Sequence, residues 1–105
     1  MRKLIILPLL LFTLYATGQV IEPDLSKKED LKNLGIGRII EKDNSILKHI
    51  TILEVKEYWI VFVKNESLHD MPMQSISRIE FPESKWGKLI ITFSNNKPEI
   101  SWPQY

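Results

Sequence analysis

The chain has 105 residues, of which 44% are hydrophobic and 26% are charged, and its formal net charge is +1. This composition is typical of a globular domain and unlike that of a disordered segment. The nearly balanced charge argues against a nucleic-acid-binding protein, which normally carries a basic surplus. Cysteine is absent, which excludes disulfides, zinc–thiolate sites and a cysteine nucleophile.

The first 18 residues have the three parts of a secretory signal peptide. Residues 1–3 are cationic, residues 4–15 form an uncharged apolar run, and Ala16 and Gly18 offer small side chains to a signal peptidase. The apolar run is shorter than the ~20 residues that a membrane-spanning helix needs. We therefore expect cleavage between Gly18 and Gln19, export to the periplasm or the secreted space, and no integral membrane span after cleavage.

The mature chain differs in charge from the precursor. Cleavage removes Arg2 and Lys3, which leaves 87 residues with 12 basic and 13 acidic side chains and a net charge of −1. Without a basic surplus the mature chain is not expected to bind nucleic acid or an anionic membrane. A chain of this size can just fold without cross-links, and we expect residues 36–105 to form a single β-rich domain.

Residues 19–35 are predicted to form a lead-in and a short helix. Pro23 interrupts any regular structure in the lead-in. Ser26 and Glu29 have the spacing of a capping box, which predicts a helix of about two turns. The helix is expected to end at Leu34, with Gly35 in the left-handed conformation that follows many helices. Its apolar stripe is short, so it can lie on a core but cannot form one.

Beyond the helix the hydrophobic pattern takes the period of two that is typical of β-strands. Strands are predicted at residues 36–41, 46–55, 58–63, 68–71, 76–81, 88–93 and 100–102. Turns are predicted at residues 42–45, 65–67 and 95–96, and a loop at residues 82–87. Residues 58–63 are apolar on both faces, which predicts a central strand covered on both sides. Pro72 cannot donate to a ladder, so the strand before it is predicted to be an edge strand or to end there.

These short strands with frequent turns predict an antiparallel meander. The expected fold is mainly β: six to seven strands in a barrel-like or strongly curled sheet, preceded by one short helix. The succession of turn, strand and Ile-x-x-Ile-x-Phe pattern in residues 65–81 resembles that of small SH3-like and Sm-like barrels. The resemblance concerns the architecture. On the strand at 76–81, Ile79 and Phe81 are expected to face the core, with Arg78 and Glu80 on the opposite face.

A candidate metal site lies at His69, Met71 and Met73. Side chains at these alternate positions of a strand share one face, and imidazole with two thioethers is a soft ligand set suited to Cu(I). In ligand type it is similar to the small periplasmic copper and silver chaperones. The simpler interpretation is that the methionines fill the core, because the same parity continues to Ile79 and Phe81.

Catalytic motifs are absent from the sequence. The two histidines are His49 and His69. His69 and Asp70 are neighbours on a predicted strand and point to opposite faces, so they cannot pair as a catalytic dyad does. No nucleophile elbow or phosphate-binding glycine loop occurs, and a small hydrolase is the remaining catalytic alternative. His49 alternates with Leu47 and Thr51, which predicts a half-buried structural side chain.

Trp86 is the candidate contact with a partner protein. It follows charged residues in the predicted loop 82–87, where an exposed tryptophan can fill a pocket on a partner or stack on a sugar ring. The alternative is that Trp86 folds back and plugs one end of the expected barrel, because large aromatic side chains are mostly buried.

The leading hypothesis is a small exported, non-catalytic binding module of the cell envelope or secreted space. It is expected to dock on another protein through a sheet edge or through the Trp86 loop. The alternative hypothesis is a periplasmic copper- or silver-binding protein that uses His69, Met71 and Met73. No cofactor is expected.

Overall fold

The computed structural model describes residues 22–103. The predicted signal peptide, its cleavage site before Gln19 and the start of the lead-in lie outside the described residues. Among the residues described, no helix is both long enough and apolar enough to cross a bilayer.

Seven antiparallel strands and one short α-helix make up the described part of the chain. In chain order the elements are α1 (Lys28–Asn33), β1 (Gly37–Glu41), β2 (Ile46–Lys56), β3 (Trp59–Lys64), β4 (Ser67–Pro72), a 3₁₀ helix (Met73–Ser75), β5 (Ile76–Ser84), β6 (Gly87–Ser94) and β7 (Lys97–Ser101). The strands form one sheet in the order β4-β3-β2-β1-β5-β6-β7, and every neighbouring pair is antiparallel. The predicted mainly-β class and strand number are confirmed.

The sheet is open and does not close into a barrel, so the predicted barrel-like or strongly curled form is confirmed only in part. β4 and β7 are its two edges and do not pair with each other. Each edge strand contains a proline, Pro72 in β4 and Pro98 in β7. A residue without an N–H cannot donate to a closing ladder, and this favours an open edge on both sides.

The two edge strands belong to hairpins with two-residue turns. Asn65 and Glu66 connect β3 to β4, and Asn95 and Asn96 connect β6 to β7. All four have positive φ angles between 53° and 64°, as type I′ turns require. The turns predicted at residues 65–67 and 95–96 are confirmed, with Ser67 already the first residue of β4.

The predicted loop at 82–87 is mostly strand. β5 extends to Ser84 and β6 begins at Gly87, which leaves Lys85 and Trp86 as a two-residue turn. The register shifts between Phe81 and Ser84, so an irregularity accommodates Pro82 within the strand.

The prediction that residues 58–63 form a strand covered on both faces is wrong. One face of β3 is buried through Ile60 and Phe62, but Val61 and Val63 are half-buried and Trp59 is 44% exposed. β3 lies next to the edge strand β4, and its second face remains in contact with solvent. Apolar side chains on both faces of a strand therefore do not establish that two layers cover it.

The core lies against one face of the sheet. Its buried side chains are Leu31, Leu34, Ile39, Ile50, Ile52, Ile60, Phe62, Met73, Ile76, Ile79, Phe81, Leu89 and Ile91. Leu31 and Leu34 belong to this cluster, so the expectation that the helix lies on the core is confirmed.

A Cβ atom at Gly37 would lie 2.6 Å from the Phe81 ring, which is why glycine occupies the start of β1.

The capping box is not formed. The N-cap of α1 is Lys27, which makes no side-chain capping bond. Ser26 instead donates its hydroxyl to Asp24 Oδ1 at 2.6 Å, and the backbone N–H of Asp24 donates to Asp30 Oδ2 at 2.7 Å. Local side-chain bonding of this kind competes with helix capping. The other end agrees with the prediction, because Gly35 follows the helix with a φ of 77°.

Candidate functional site

The edge strand β4 directs part of its backbone away from the sheet. The pair Lys64–Ser67 closes the two-residue turn, and the register continues without a shift. In such a hairpin the closing pair is hydrogen-bonded and bonded pairs alternate with non-bonded ones. Ser67, His69 and Met71 therefore bond to β3, whereas Leu68 and Asp70 direct their N–H and C=O groups towards the open edge.

The other edge strand, β7, presents less hydrogen-bonding backbone. The pair Ser94–Lys97 closes its turn, so Pro98 and Ile100 occupy the outward positions. Pro98 has no N–H to offer. Residues 22–26 of the lead-in lie alongside Pro98 and Ile100 around a hollow of about 690 Å³. The edge of β7 therefore offers no N–H at Pro98, and the lead-in lies on the same side of the strand.

Apolar side chains border β4 on the outer face, the surface of the sheet turned away from the core. We call Leu53, Trp59, Val61, Val63 and Leu68 the β4 apolar patch. Val63 lies directly opposite Leu68 in the register. Leu68 is 68% exposed, which is the largest value among the exposed large hydrophobic side chains of the described residues. Leu53, Val61 and Leu68 also line a hollow of about 550 Å³, together with Lys28 and Lys32 of α1. Exposed patches of this kind are typical of interaction sites.

The outer face beside β7 is more polar than the outer face beside β4. Thr92 lies opposite Glu99, and Ile90 lies opposite Ser101. Ile90 is half-buried, whereas Glu99 and Ser101 are exposed. The surface next to β7 is thus mostly polar, and only the β4 edge combines free backbone groups with an apolar border.

His69 lies on the core-facing side of β4 but remains exposed. Its ring stacks on Phe62 of β3, with a centroid distance of 5.5 Å and an interplanar angle of 17°. One face of the imidazole is covered by Phe62, and the other is turned away from β3 towards the open edge. Asp70 pairs with Val61 on the outer face, so His69 and Asp70 point to opposite faces as predicted.

The three proposed metal ligands do not share one strand face. His69 and Met71 lie on the same face, because they pair with the buried Phe62 and Ile60. β4 ends at Pro72, and Met73 lies in the 3₁₀ helix, where it is 1% exposed within the core. Within residues 22–103 no three His, Asp or Glu side chains cluster closely enough to hold a metal ion. A metal role for these side chains stays a prediction.

His49 is exposed, so the prediction of a half-buried histidine is wrong. The register of β1 against β2 shifts between Gly37 and Ile39, whose partners on β2 are Ile50 and Leu47. His49 lies at this β-bulge with a φ of 58°. A bulge breaks the strict alternation of side chains, and the pattern of residue types around His49 did not reveal it.

Trp86 is half-buried and packs against the core. Its backbone N–H donates to Ser84 Oγ at 3.1 Å, and the N–H of Lys85 donates to the Asn33 carbonyl at 2.9 Å. These bonds fix the turn near the end of α1. Contact of Trp86 with a partner stays a prediction, whereas Trp59 presents more of its ring to solvent.

An ion triplet lies on the outer face between β1 and β5. Arg38 Nε donates to Glu80 Oε1 at 2.6 Å, and Arg78 Nε donates to Glu80 Oε2 at 2.7 Å. The hydrogen bond from Arg78, aided by Arg38, holds the pKa of the Glu80 carboxyl below its usual value, although partial burial opposes this shift. Both carboxylate oxygens are used within the sheet, which indicates a structural role.

Leu68 and Trp59 are the residues of the edge that sequence reasoning missed. Pro72 correctly indicated that β4 is an edge strand, and the two-residue turn at Asn65 fixes which of its residues point outward. Trp59 was assigned to a strand covered on both faces, so its exposure was not predicted.

Comparisons with known protein families, curated proteins and solved structures find no match. The function is therefore inferred from the geometry of the site.

Proposed function

We propose that the protein is a small exported, non-catalytic binding module that captures an extended segment of another protein as an additional strand at β4. The observation that carries this proposal is the pair of outward residues, Leu68 and Asp70, at an edge that no other strand of residues 22–103 pairs with. Addition of a strand to a free sheet edge is a recurring mode of peptide recognition.

The backbone and the β4 apolar patch supply different parts of the binding energy. Leu68 and Asp70 together offer two N–H donors and two C=O acceptors, and each hydrogen bond contributes about 0.5–1.5 kcal/mol net. Apolar area covered by the partner adds roughly 25 cal/mol per Å². The backbone bonds provide general affinity for an extended chain, and the side chains beside them determine which chain is preferred.

The place of action is the periplasm or the secreted space. The support for this part of the proposal is the sequence of residues 1–18, with its cationic start, short apolar run and small residues before Gln19.

Site-specific photo-crosslinking tests the proposed edge. A crosslinking amino acid is placed at Ser67 or at Lys97, the first residues of β4 and β7, each of which directly follows a two-residue turn. We expect partner adducts in the exported fraction from position 67 and none from position 97. The variant Leu68→Pro removes one outward N–H without breaking a bond to β3, and it should abolish the adducts. Equal crosslinking from both positions contradicts the proposal.

A soft-metal carrier is the second candidate function. The favouring observation is that His69 and Met71 share one face of β4 and that His69 is exposed. Binding by Met73 requires that side chain to leave the core. Cu(I) titration of the wild type beside Met71→Leu/Met73→Leu tests this candidate, with Met73→Leu alone as the matched control. Loss of binding in the double variant supports the candidate, and equal binding, or none by either protein, ends it.

A further inference from the structure

We infer that the strand captured at β4 runs antiparallel to it, as every neighbouring pair of this sheet does, and that it carries a basic, an aromatic and an aliphatic residue in that order. This inference rests on the proposed function, because it names the chemistry of the partner of the same edge. The three positions lie opposite Asp70, His69 and Leu68. Directly opposed residues of an antiparallel pair share one face, so each partner side chain meets a known environment.

Asp70 indicates that the partner residue opposite it is basic. Its side chain is exposed on the outer face of an edge strand and makes no ion pair within residues 22–103. Lys56 lines the same hollow of about 390 Å³ but does not reach ion-pair distance from Asp70. The carboxylate is therefore available, and an opposite charge directly across an antiparallel pair is favourable.

The free face of the His69 ring indicates that the partner residue opposite it is aromatic. The imidazole and the Phe62 ring are nearly parallel, at an angle of 17°. Opposed side chains in a non-hydrogen-bonded pair have Cβ atoms about 4.5–5.5 Å apart. An aromatic residue opposite His69 therefore extends the stack by one ring, from Phe62 through His69 to the partner.

Leu68 indicates that the partner residue opposite it is aliphatic. Its side chain is 68% exposed, and it lies beside Val63 in the neighbouring strand. An aliphatic residue opposite Leu68 covers this exposed surface and extends the β4 apolar patch, which otherwise remains in contact with water.

A second copy of the chain fits this edge less well. Antiparallel pairing of β4 with itself about His69 places Leu68 of each chain against Asp70 of the other. Of the two neighbouring registers, one places Asp70 directly against Asp70, and the other places Leu68 against Leu68 but Glu66 against Asp70; like charges at opposed positions are destabilising. None of these registers gives both Leu68 and Asp70 a complementary side chain, so the observations favour a strand of different sequence.

Peptide titration followed by amide NMR tests the inference on the purified exported chain. The probe is a short peptide with arginine, tyrosine and valine at its centre and threonines on both sides. We expect shifts of the Leu68 and Asp70 amide signals. Replacing the arginine with glutamate should weaken binding roughly fivefold. The peptide of reversed order should also bind more weakly, because antiparallel pairing then places valine against Asp70.

Two matched charge variants sharpen the test. Asp70→Lys should invert the preference, so that the glutamate peptide binds more tightly than the arginine peptide. Glu99→Lys makes the same change in charge on the other edge strand and should leave both affinities unchanged. His69→Ala should weaken binding of the tyrosine peptide but not of a matched peptide with serine at that position, because only the tyrosine stacks.

The outcomes separate this inference from the proposed function. Equal affinity for the arginine and glutamate peptides, or no inversion in Asp70→Lys, overturns the inference. If binding is independent of charge and order yet is lost in Leu68→Pro, the edge is the binding site and only the inferred partner chemistry is wrong. If no peptide binds, or if Leu68→Pro binds as the wild type does, both proposals are wrong. Self-association that Leu68→Pro abolishes identifies a second copy as the occupant and overturns the inference.

Discussion

The two edges of the sheet are built alike and differ in a few side chains. β4 and β7 each follow a two-residue turn with positive φ angles, and each pairs with its inner neighbour without a register shift. The outward positions hold Leu68, Asp70 and Pro72 in one strand and Pro98 and Ile100 in the other. Natural sheets commonly protect an edge with proline or cover it with other parts of the chain. In this protein Pro98 and the nearby lead-in protect β7, whereas within residues 22–103 neither form of protection lies at Leu68 or Asp70, and only Pro72 ends β4.

The largest expected difference between the edges lies in how firmly each is attached to the core. Phe62 behind β4 is 2% exposed, whereas Phe93 behind β7 is half-buried. Phe62→Ala should lower the free energy of unfolding by about 3–5 kcal/mol, because it leaves a cavity in a packed core. Phe93→Ala should cost roughly 1–2 kcal/mol, since less apolar area is lost.

Urea denaturation monitored by circular dichroism measures both values. Equal losses in the two variants contradict the described difference in burial. Phe62→Leu is a useful control, because it keeps most of the apolar volume and should lose less stability than Phe62→Ala.

A gain of function at the protected edge is the next largest expected effect. Pro98→Thr introduces an outward N–H at the second residue of β7, so this edge should now pair with added strands or with itself. We expect increased self-association of the variant by sedimentation velocity. Glu99→Thr is the matched control, because that position bonds inward to β6, and it should behave as the wild type does. A monomeric Pro98→Thr variant shows instead that the lead-in alone protects β7.

The class of fold and the β4 edge could be predicted from sequence because their determinants are local. Alternating apolar residues, paired turn asparagines and Pro72 each act within a few positions of the chain. The covering of β3 could not be predicted in this way, because its outer face depends on which elements pack against it. The bulge at His49 and the position of Met73 were missed for a related reason. The offset of β1 against β2 and the end of β4 at Pro72 break the strict alternation that the prediction assumed.

Hydrogen exchange tests the assignment of outward residues directly. Amides that bond to the inner neighbour should exchange slowly, and outward amides should exchange at least about tenfold faster. In β4 the amides of Ser67, His69 and Met71 should be protected and those of Leu68 and Asp70 should not. Protection of Leu68 and Asp70 in the absence of any partner contradicts the register from which the free edge is derived.

The smallest expected effect concerns Glu80, which belongs to the centre of the sheet and not to either edge. The Arg78 hydrogen bond and Arg38 lower the pKa of Glu80 from its ordinary value of 4.5. A carboxyl whose pKa is lower in the folded state adds stability above its unfolded pKa, and this stability is lost as the pH falls through the folded pKa. Arg38 and Arg78 are about half exposed, so solvent screening limits the contribution to about 0.5–1 kcal/mol.

The variant Glu80→Gln should therefore be slightly less stable than the wild type at pH 7. The difference should shrink as the pH falls below the ordinary carboxyl pKa, and it should also shrink in high salt. Urea denaturation at several pH values measures it, and an equal difference at acid and neutral pH contradicts the ion triplet. Glu80 is not part of β4. The Glu80→Gln variant should therefore bind an added strand at the β4 edge with the same affinity as the wild type. Weaker binding by Glu80→Gln means that the edge depends on the stability of the whole sheet and not only on its own free backbone groups.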